Sequence, residues 1–418
     1  MKTSTITIFC VFAFLTASLS VAAQEYDLLI KNVYLIDAKN KLDQVMDVAV
    51  LDGKVAEVSA DIPGEKAKKV IDAEGLYVVP GLIDNHVHVF HGTMQDQYIS
   101  NSFTSLPPDG FTFRYGVTTV VDAGSSGWRN FKTFREQTID NSKTRVLAYL
   151  NIVGWGMKGG AVEQNLADMD PKLTAIVARQ NKDVIVGTKL AHYSGHDWTP
   201  LERTVEAGEL AGGIPAMIDF GGSDPELSIE TLLLEKLRPG DIYAHCYAHV
   251  GGRTPVVDEN GKVRPCVHQA QEKGILFEVG HGGGSFVYEQ ALPAMDQGFL
   301  PDMISTDLHT GSMNAGMKDM LNVMSKFLNM GMSLQDVIER SSWMPAVYIN
   351  REELGHLSVG AHADIAVLNL KEGDFGFTDV RGWTIQGNKK LECELTLMEG
   401  KVVWDLNGIS MQEWEANK

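Results

Sequence analysis

The spacing of hydrophobic and polar positions divides this chain into three parts. Between residue 26 and about residue 80 the apolar residues fall in short runs, at 26–30, 33–37, 48–51, 54–58 and 69–72, with turn residues such as Asp52-Gly53 between them. Runs of that length bounded by such turns predict β-strands. The same pattern returns at 363–368, 395–398 and 401–404, the last two joined by Glu399-Gly400. In between lie eight strand-like runs rich in Val, Ile and Leu, at 76–88, 117–122, 146–153, 184–189, 214–219, 242–245, 275–281 and 303–307. Strands apolar on both faces belong to parallel sheets. Helix signals alternate with them. Residues 225–237 put Ile229, Leu232, Leu233 and Leu237 on one face, with Asp224 placed to cap. Ser333 and Asp336 make a capping-box pattern ahead of another helix. Met320, Met324, Phe327 and Leu328 form a stripe that reads as core.

Eight strand–helix units predict an α/β fold, a (β/α)8 TIM barrel over residues 81–356. The β-rich ends, 24–80 and 357–404, predict a small β-sandwich built from both termini, followed by a tail at 405–418. The alternative is an open doubly wound sheet; no dinucleotide or phosphate fingerprint supports it.

Composition adds bounds. The 418 residues are 44% hydrophobic and 22% charged, which is ordinary for a globular chain with a large core. A net charge of −18 argues against nucleic acid and against anionic membrane surfaces as partners. Lys2, the apolar stretch 6–19 and Val21-Ala22-Ala23 before Gln24 read as a signal peptide over residues 1–23. The stretch is short for a membrane span, so no stable insertion is expected after cleavage. Cys10 lacks a lipoprotein context. Export to the periplasm or the medium of a bacterium follows. The mature chain would keep Cys246, Cys266 and Cys393, which are either free buried thiols or one bridge and a leftover.

Barrel enzymes keep their chemistry at the C-terminal ends of the strands, and here those ends carry ligand-type residues. His86 and His88, at i and i+2, share one face of their strand. Lys189, Asp219, His245 and Asp307 each end a strand of their own, and His281 stands in a glycine-rich stretch, Gly280-His281-Gly282-Gly283-Gly284. An unpaired lysine is expensive to bury, and a free ammonium cannot ligate a metal. Lys189 therefore makes chemical sense there if modified or otherwise used.

The motifs Gly81-Leu82-Ile83-Asp84-Asn85-His86-Val87-His88, Gly187-Thr188-Lys189, Gly240-Asp241-Ile242-Tyr243-Ala244-His245-Cys246, Gly280-His281-Gly282 and Ser305-Thr306-Asp307, with Gly360-Ala361-His362-Ala363-Asp364 opening the second terminal part, resemble the amidohydrolase superfamily. Within it the chain is most similar to the dihydroorotase-like, deacetylase-type branch, from about residue 26 to about 404. The resemblance implies a metal-dependent hydrolase with two divalent ions. His86 and His88 would hold one of them with Asp307. Lys189, as N6-carboxylysine, would bridge both, and His245 would hold the second. Zinc is the default and manganese the alternative. Where the family's strand-5 ligand is usually histidine, this chain has Asp219. It is either a ligand that lowers the metal's Lewis acidity or an outer group that leaves the second metal weak or absent.

The implied reaction is hydrolysis of an amide, cyclic amide or ester, with Asp307 moving the proton of the attacking water. True dihydroorotases carry an arginine two residues after the second histidine; here that residue is Phe90. D-aminoacylase-like relatives use a cysteine after strand 2; here the strand ends Val121-Asp122-Ala123-Gly124. An N-acyl or O-acyl small molecule remains as the expected substrate, a cyclic amide as the alternative. His281, His309 and Asn151 are candidate substrate contacts, with His192, His196 and His249 placed to line the mouth. His268, His356 and His362 are expected at the surface, and Trp155 and Trp198 in loop packing. Family analogy suggests a homo-oligomer. Two other classes stay open, a non-catalytic scaffold and a single-metal deaminase without a carbamate.

Overall fold

Two hydrogen-bonded sheets carry the chain. The structure, a computed structural model, describes residues 24–92, 101–102, 104–219, 222–412 and 414. The expected signal peptide lies outside the described residues. Strands β1 (Leu28–Asp37), β2 (Leu42–Leu51), β3 (Lys54–Ser59), β4 (Val70–Asp72) and β5 (Tyr77–Pro80) come first. Strands β6 (Leu82–Val87), β7 (Val117–Gly127), β8 (Arg145–Asn151), β9 (Ile185–Ala191), β10 (Ala216–Asp219), β11 (Ile242–Tyr243) and β12 (Leu276–Phe277) make the middle. Strands β13 (Ile365–Thr378), β14 (Thr384–Met398) and β15 (Lys401–Asp405) close the chain.

Strands β6 to β12 pair in sequence order, every pair parallel. The eighth predicted run appears as a short segment that bridges both edges. Met303 pairs with Glu278 beyond β12, and Leu308 pairs with Val87 of β6, both parallel. The sheet is therefore strongly curled. Its residues alternate as a curled sheet requires. Ile83, Val121, Leu147, Val186, Met217, Ile242, Leu276 and Met303, one from each strand and from the eighth segment, form one buried cluster. Their neighbours Leu82, Val120, Val146, Ile185, Ile218, Tyr243, Phe277 and Ile304 belong to the large cluster that also holds the apolar faces of the helices.

Helices follow the strands. They include Phe131–Gln137, Pro171–Gln180, Thr199–Leu210, Pro265–Lys273, Tyr288–Asp296 and Met320–Asn329. The Ser333 cap is present, its hydroxyl accepting from Asp336 N at 3.0 Å. Met320, Met324 and Phe327 are buried as expected. The helix expected over 225–237 is shorter. Its regular part is a π-helical turn, Thr231–Lys236, with Leu232 and Leu233 buried. Ser228 rather than Asp224 serves its start, Ser228 Oγ accepting from Thr231 N at 3.2 Å. No helix among the described residues is long and apolar enough to cross a membrane.

The two ends of the chain share one sheet, in the order β15-β14-β13-β5-β1-β2-β3, with β4 also on β1. By hydrogen bonding it is one continuous sheet, mostly antiparallel, and not the expected sandwich of two. Strand β5 causes the difference. It pairs parallel with β1 on one side and antiparallel with β13 on the other, joining the N-terminal and C-terminal halves. Cys246, Cys266 and Cys393 are all free and buried. His356, expected at the surface, is buried edge-on against Trp343.

The two sheets meet through a buried lysine. Lys326 Nζ, in helix Met320–Asn329, donates to Gly316 O at 2.7 Å, to Thr378 O of β13 at 2.8 Å and to His281 Nε2 at 2.6 Å. Replacing it removes the donor from the buried His281 nitrogen and from two partly buried carbonyls, each costing of order 1 kcal/mol. We predict that Lys326→Met lowers unfolding free energy by about 2–4 kcal/mol, read by denaturant titration. A change within error would show that these contacts do not hold the two parts together.

Candidate metal centre

Parallel strands end with backbone and side chains pointing out of the same rim, so residues distant in sequence converge there. His86 and His88 leave β6, Lys189 leaves β9, Asp219 ends β10, and His245 and Asp307 follow β11 and the eighth segment. His88 Nε2 lies 3.0 Å and His86 Nε2 3.8 Å from Asp307 Oδ1. His245 Nε2 lies 3.4 Å from Asp219 Oδ2. The rings of His86 and His245 have centroids 4.9 Å apart. His86, His88 and Asp307 form a group whose ligand atoms lie within 4.8 Å of one another, and so do His86, His245 and Glu278.

Each imidazole is held from behind through Nδ1. His86 Nδ1 faces Glu278 Oε2 at 3.2 Å, His88 Nδ1 faces Ser125 Oγ at 3.0 Å, and His245 Nδ1 faces Gly280 O at 2.7 Å. The carboxylate at His86 and the carbonyl at His245 take the Nδ1 proton, the arrangement that outer partners give to metal-binding histidines, while Nε2 of His88 stands at hydrogen-bond distance from Asp307. Burial, with Lys189 nearby, keeps His86 well below the usual imidazole range, so it is a neutral donor. Glu278 is the residue that sequence reasoning missed. Its second oxygen accepts from the Ser305 hydroxyl. Both oxygens are thus engaged, which makes Glu278 the anchor of His86 rather than a fourth ligand. A lone acid inside Leu276-Phe277-Glu278-Val279 was the available signal, since a buried carboxylate needs a partner. Asp84 and Asp122 carry the same signal. Asp84 accepts from Thr306 N at 3.0 Å, and Asp122 accepts from Val89 N and Ser125 N, both at 2.8 Å.

Lys189 Nζ is buried and has no hydrogen-bond partner among the described residues. Burial pulls its pKa down against the upward influence of Asp219, Glu278 and Asp307. Asp219 is paired on its other side, Oδ1 with Arg253 Nη1 at 3.2 Å. Burial raises the carboxyls of Asp219 and Asp307, but neighbouring His245 and, for Asp307, the hydrogen bond from His88 outweigh it. Both are held well below the usual carboxylate range. His192, His245 and Asp307 all sit at positive φ, 56°, 58° and 51°. Non-glycine residues in that region are uncommon and gather at functional sites.

The other candidates fall into two groups. His309 and His192 face the site. His309 Nδ1 accepts from Gly311 N at 3.0 Å, so its proton is on Nε2, 3.9 Å from Asp307 Oδ2. His192 Nδ1 faces Glu163 at 2.8 Å, and its Nε2 lies 3.6 Å from Asp219 Oδ2. Asn151 and His281 are given other work. Asn151 is fully buried, donates to Gly124 O and accepts from Val153 N, both at 2.9 Å. His281 is also fully buried, stacked on Phe286, with Nδ1 on Gly282 O and Nε2 on Lys326. Both polar atoms of each side chain are thus engaged within the chain. His196 contacts Pro225 O, and His249 lies beside Glu289.

The signature of the amidohydrolase family matches residues 287–403. A deacetylase of Agrobacterium fabrum is 34% identical over 338 residues, covering 79% of this chain and 80% of that protein. A deacetylase of Brucella anthropi is 33% identical over 369 residues, covering 86% and 88%. Among solved structures, a dihydroorotase superposes with a TM-score of 0.78 at 29% identity, covering 90% of this chain and 99% of its own. An adenine deaminase gives 0.80 at 27%, covering 91% and 100%.

Two glycines are packed closely against side chains of the centre. Gly124, at φ +85°, lies against Lys189, and a Cβ there would meet Lys189 Cγ at 2.6 Å and Lys189 Cβ at 2.9 Å. A Cβ on Gly282 would meet Asp307 Oδ2 at 2.3 Å. We predict that Gly124→Ala displaces the Lys189 side chain and lowers bound metal at least ~10-fold in affinity, about 1.4 kcal/mol, while circular dichroism stays that of the parent. Parental metal content in that variant would disprove the close packing.

Proposed function

The chain belongs to the amidohydrolase family and is a metal-dependent hydrolase of carbon–nitrogen bonds; from that premise we propose a deacetylase acting on a small acylated amino or hydroxy acid. One observation carries the reading. Three imidazoles, each held at Nδ1, bring Nε2 toward two carboxylates beside one unpartnered buried amine. Nitrogen and carboxylate donors in this arrangement fit borderline divalent ions.

Within the reading, the curled sheet is a (β/α)8 barrel closed by residues 303–308. His86, His88 and Asp307 would hold one ion; His245 and Asp219 would hold a second. Zinc is the first choice for both and manganese the alternative. The lowered pKa of Lys189 favours the free amine, whose nitrogen adds to the carbon of carbon dioxide and releases one proton, leaving a carbamate. That anion would offer oxygen ligands to the metal, which an ammonium could not. When bound, the metals supply Lewis acidity and a hydroxide at neutral pH. Asp307 takes the proton of the attacking water at Oδ2, the oxygen turned toward His309, and delivers it to the leaving group. His309, with its proton on Nε2, borders that route.

The dihydroorotase alternative loses support at Phe90. That side chain is fully buried against Phe134, ring centroids 4.8 Å apart, so the position offers no cation to a substrate carboxylate. We extend the proposal to export after removal of residues 1–23, on the apolar N-terminal stretch, and to a homo-oligomer.

Metal analysis of protein made with bicarbonate, with a screen of N-acetyl and O-acetyl amino and hydroxy acids, tests the reading. Two metal ions per chain and turnover of one such class are expected. Lys189→Ala should lose metal and essentially all turnover; undiminished turnover would remove the carbamate from the scheme. Asp307→Asn should cut kcat by roughly 10²–10⁴, the usual contribution of a general acid–base group, with the fold intact.

A further inference from the structure

Asp219 is not alone at the end of β10. Arg253, in the loop after β11, is nine-tenths buried and reaches it with Nη1, 3.2 Å from Oδ1. The guanidinium is fixed in three further ways. Nη2 donates to Ala244 O at 2.7 Å, Nε donates to the Tyr243 hydroxyl at 3.2 Å, and the group lies over the Tyr243 ring at 4.7 Å. Tyr243 and Ala244 immediately precede His245. One side chain thus ties the residue that ends β10 to the residue that follows β11. It also leaves only Oδ2 of Asp219 facing inward, toward His245 Nε2 at 3.4 Å and His192 Nε2 at 3.6 Å.

The charge arithmetic gives this contact a meaning. A guanidinium is always protonated in a protein. Aspartate alone would add a negative charge where a histidine would add none, and would make a bound metal less acidic. Aspartate with arginine at hydrogen-bond distance has no net charge, like a neutral imidazole. We propose that Asp219 and Arg253 act as one unit that replaces a single neutral ligand, with Arg253 the positioning residue that turns Oδ2 inward and cancels the charge. This rests on the reading of Asp219 as a ligand given above. It implies that a histidine is tolerated at position 219 only when Arg253 is gone, because otherwise a buried cation stands unpaired beside the metal.

The test is a set of variants in the full-length enzyme, with metal counted per chain by plasma mass spectrometry, apo-protein titrated with Zn²⁺ alone, and kcat and KM measured separately. Asp219→His should weaken the second metal at least ~10-fold, or 1.4 kcal/mol. Asp219→His with Arg253→Met should regain it. Parental affinity in the single variant, or continued loss in the double variant, overturns the proposal. Arg253→Met alone should keep the metal and lower kcat about 10-fold with KM little changed, and Arg253→Lys should restore much of that loss because it keeps the charge. Equal kcat in the Met and Lys variants also overturns it, and this arm does not depend on position 219 tolerating histidine. Asp219→Ala with Arg253→Met removes the neutral unit whole. If that variant binds both metals as the parent does, Asp219 is no ligand, and the failure belongs to the underlying reading rather than to the pairing.

Discussion

Burial of ionisable groups away from bulk water governs this site. A unit charge 4 Å from another is worth about 1 kcal/mol in water but about 4 kcal/mol at the effective dielectric of a protein, so an unbalanced charge here is decisive. The carboxylates at the strand ends each have their partners. Asp84 has Thr306, Asp122 has Val89 and Ser125, Glu278 has His86 and Ser305, and Asp219 has Arg253. Burial pushes Asp84 up to about 7 despite its hydrogen bonds from Thr306, which shows how little solvation the rim provides. Against that background the bare amine of Lys189 stands out. A group left without a partner where all neighbours have one is poised for chemistry or for a ligand.

The backbone is bent to serve the same end. Left-handed conformations at His245 and Asp307 cost of order 1–3 kcal/mol each and persist only where the surroundings fix them. Asp307 is fixed from both sides. Asp84 holds Thr306 just before it, and Ser312 Oγ donates to the Asp307 carbonyl at 2.8 Å. His245 is fixed by the Gly280 carbonyl on its ring. Strain and glycine packing thus do one job: they bring short side chains into a space that regular strand geometry would leave too wide.

Much of this was legible in the sequence, for identifiable reasons. The strand ends are visible because apolar runs stop at a ligand-type residue, and that pattern located His86, His88, Lys189, Asp219, His245 and Asp307 on one rim. The terminal strands are visible because their turns carry Asp-Gly and Glu-Gly. What the pattern could not show is hydrogen-bond pairing between distant segments. It offered no way to see that β5 joins both halves into one sheet. Nor did it show that Asn151 and His281, polar and near strand ends, are consumed by the backbone and by Lys326. Arg253 was invisible for the same reason, since it lies in a loop far from Asp219 in sequence and only the fold brings them together.

The terminal sheet also contacts the loops that surround the centre. Its long β13–β14 hairpin reaches the loops that leave β11 and β12. Val380 N donates to Phe286 O at 3.2 Å, Arg381 Nη2 donates to His249 O at 3.0 Å, and Thr378 O accepts from Lys326. Lys326 in turn donates to His281, and the next residue, Gly282, packs directly on Asp307. A chain of contacts therefore runs from the C-terminal hairpin through Lys326 and His281 to Asp307. Because protein interiors are close-packed and yield little, a shift of the hairpin would be felt at Asp307.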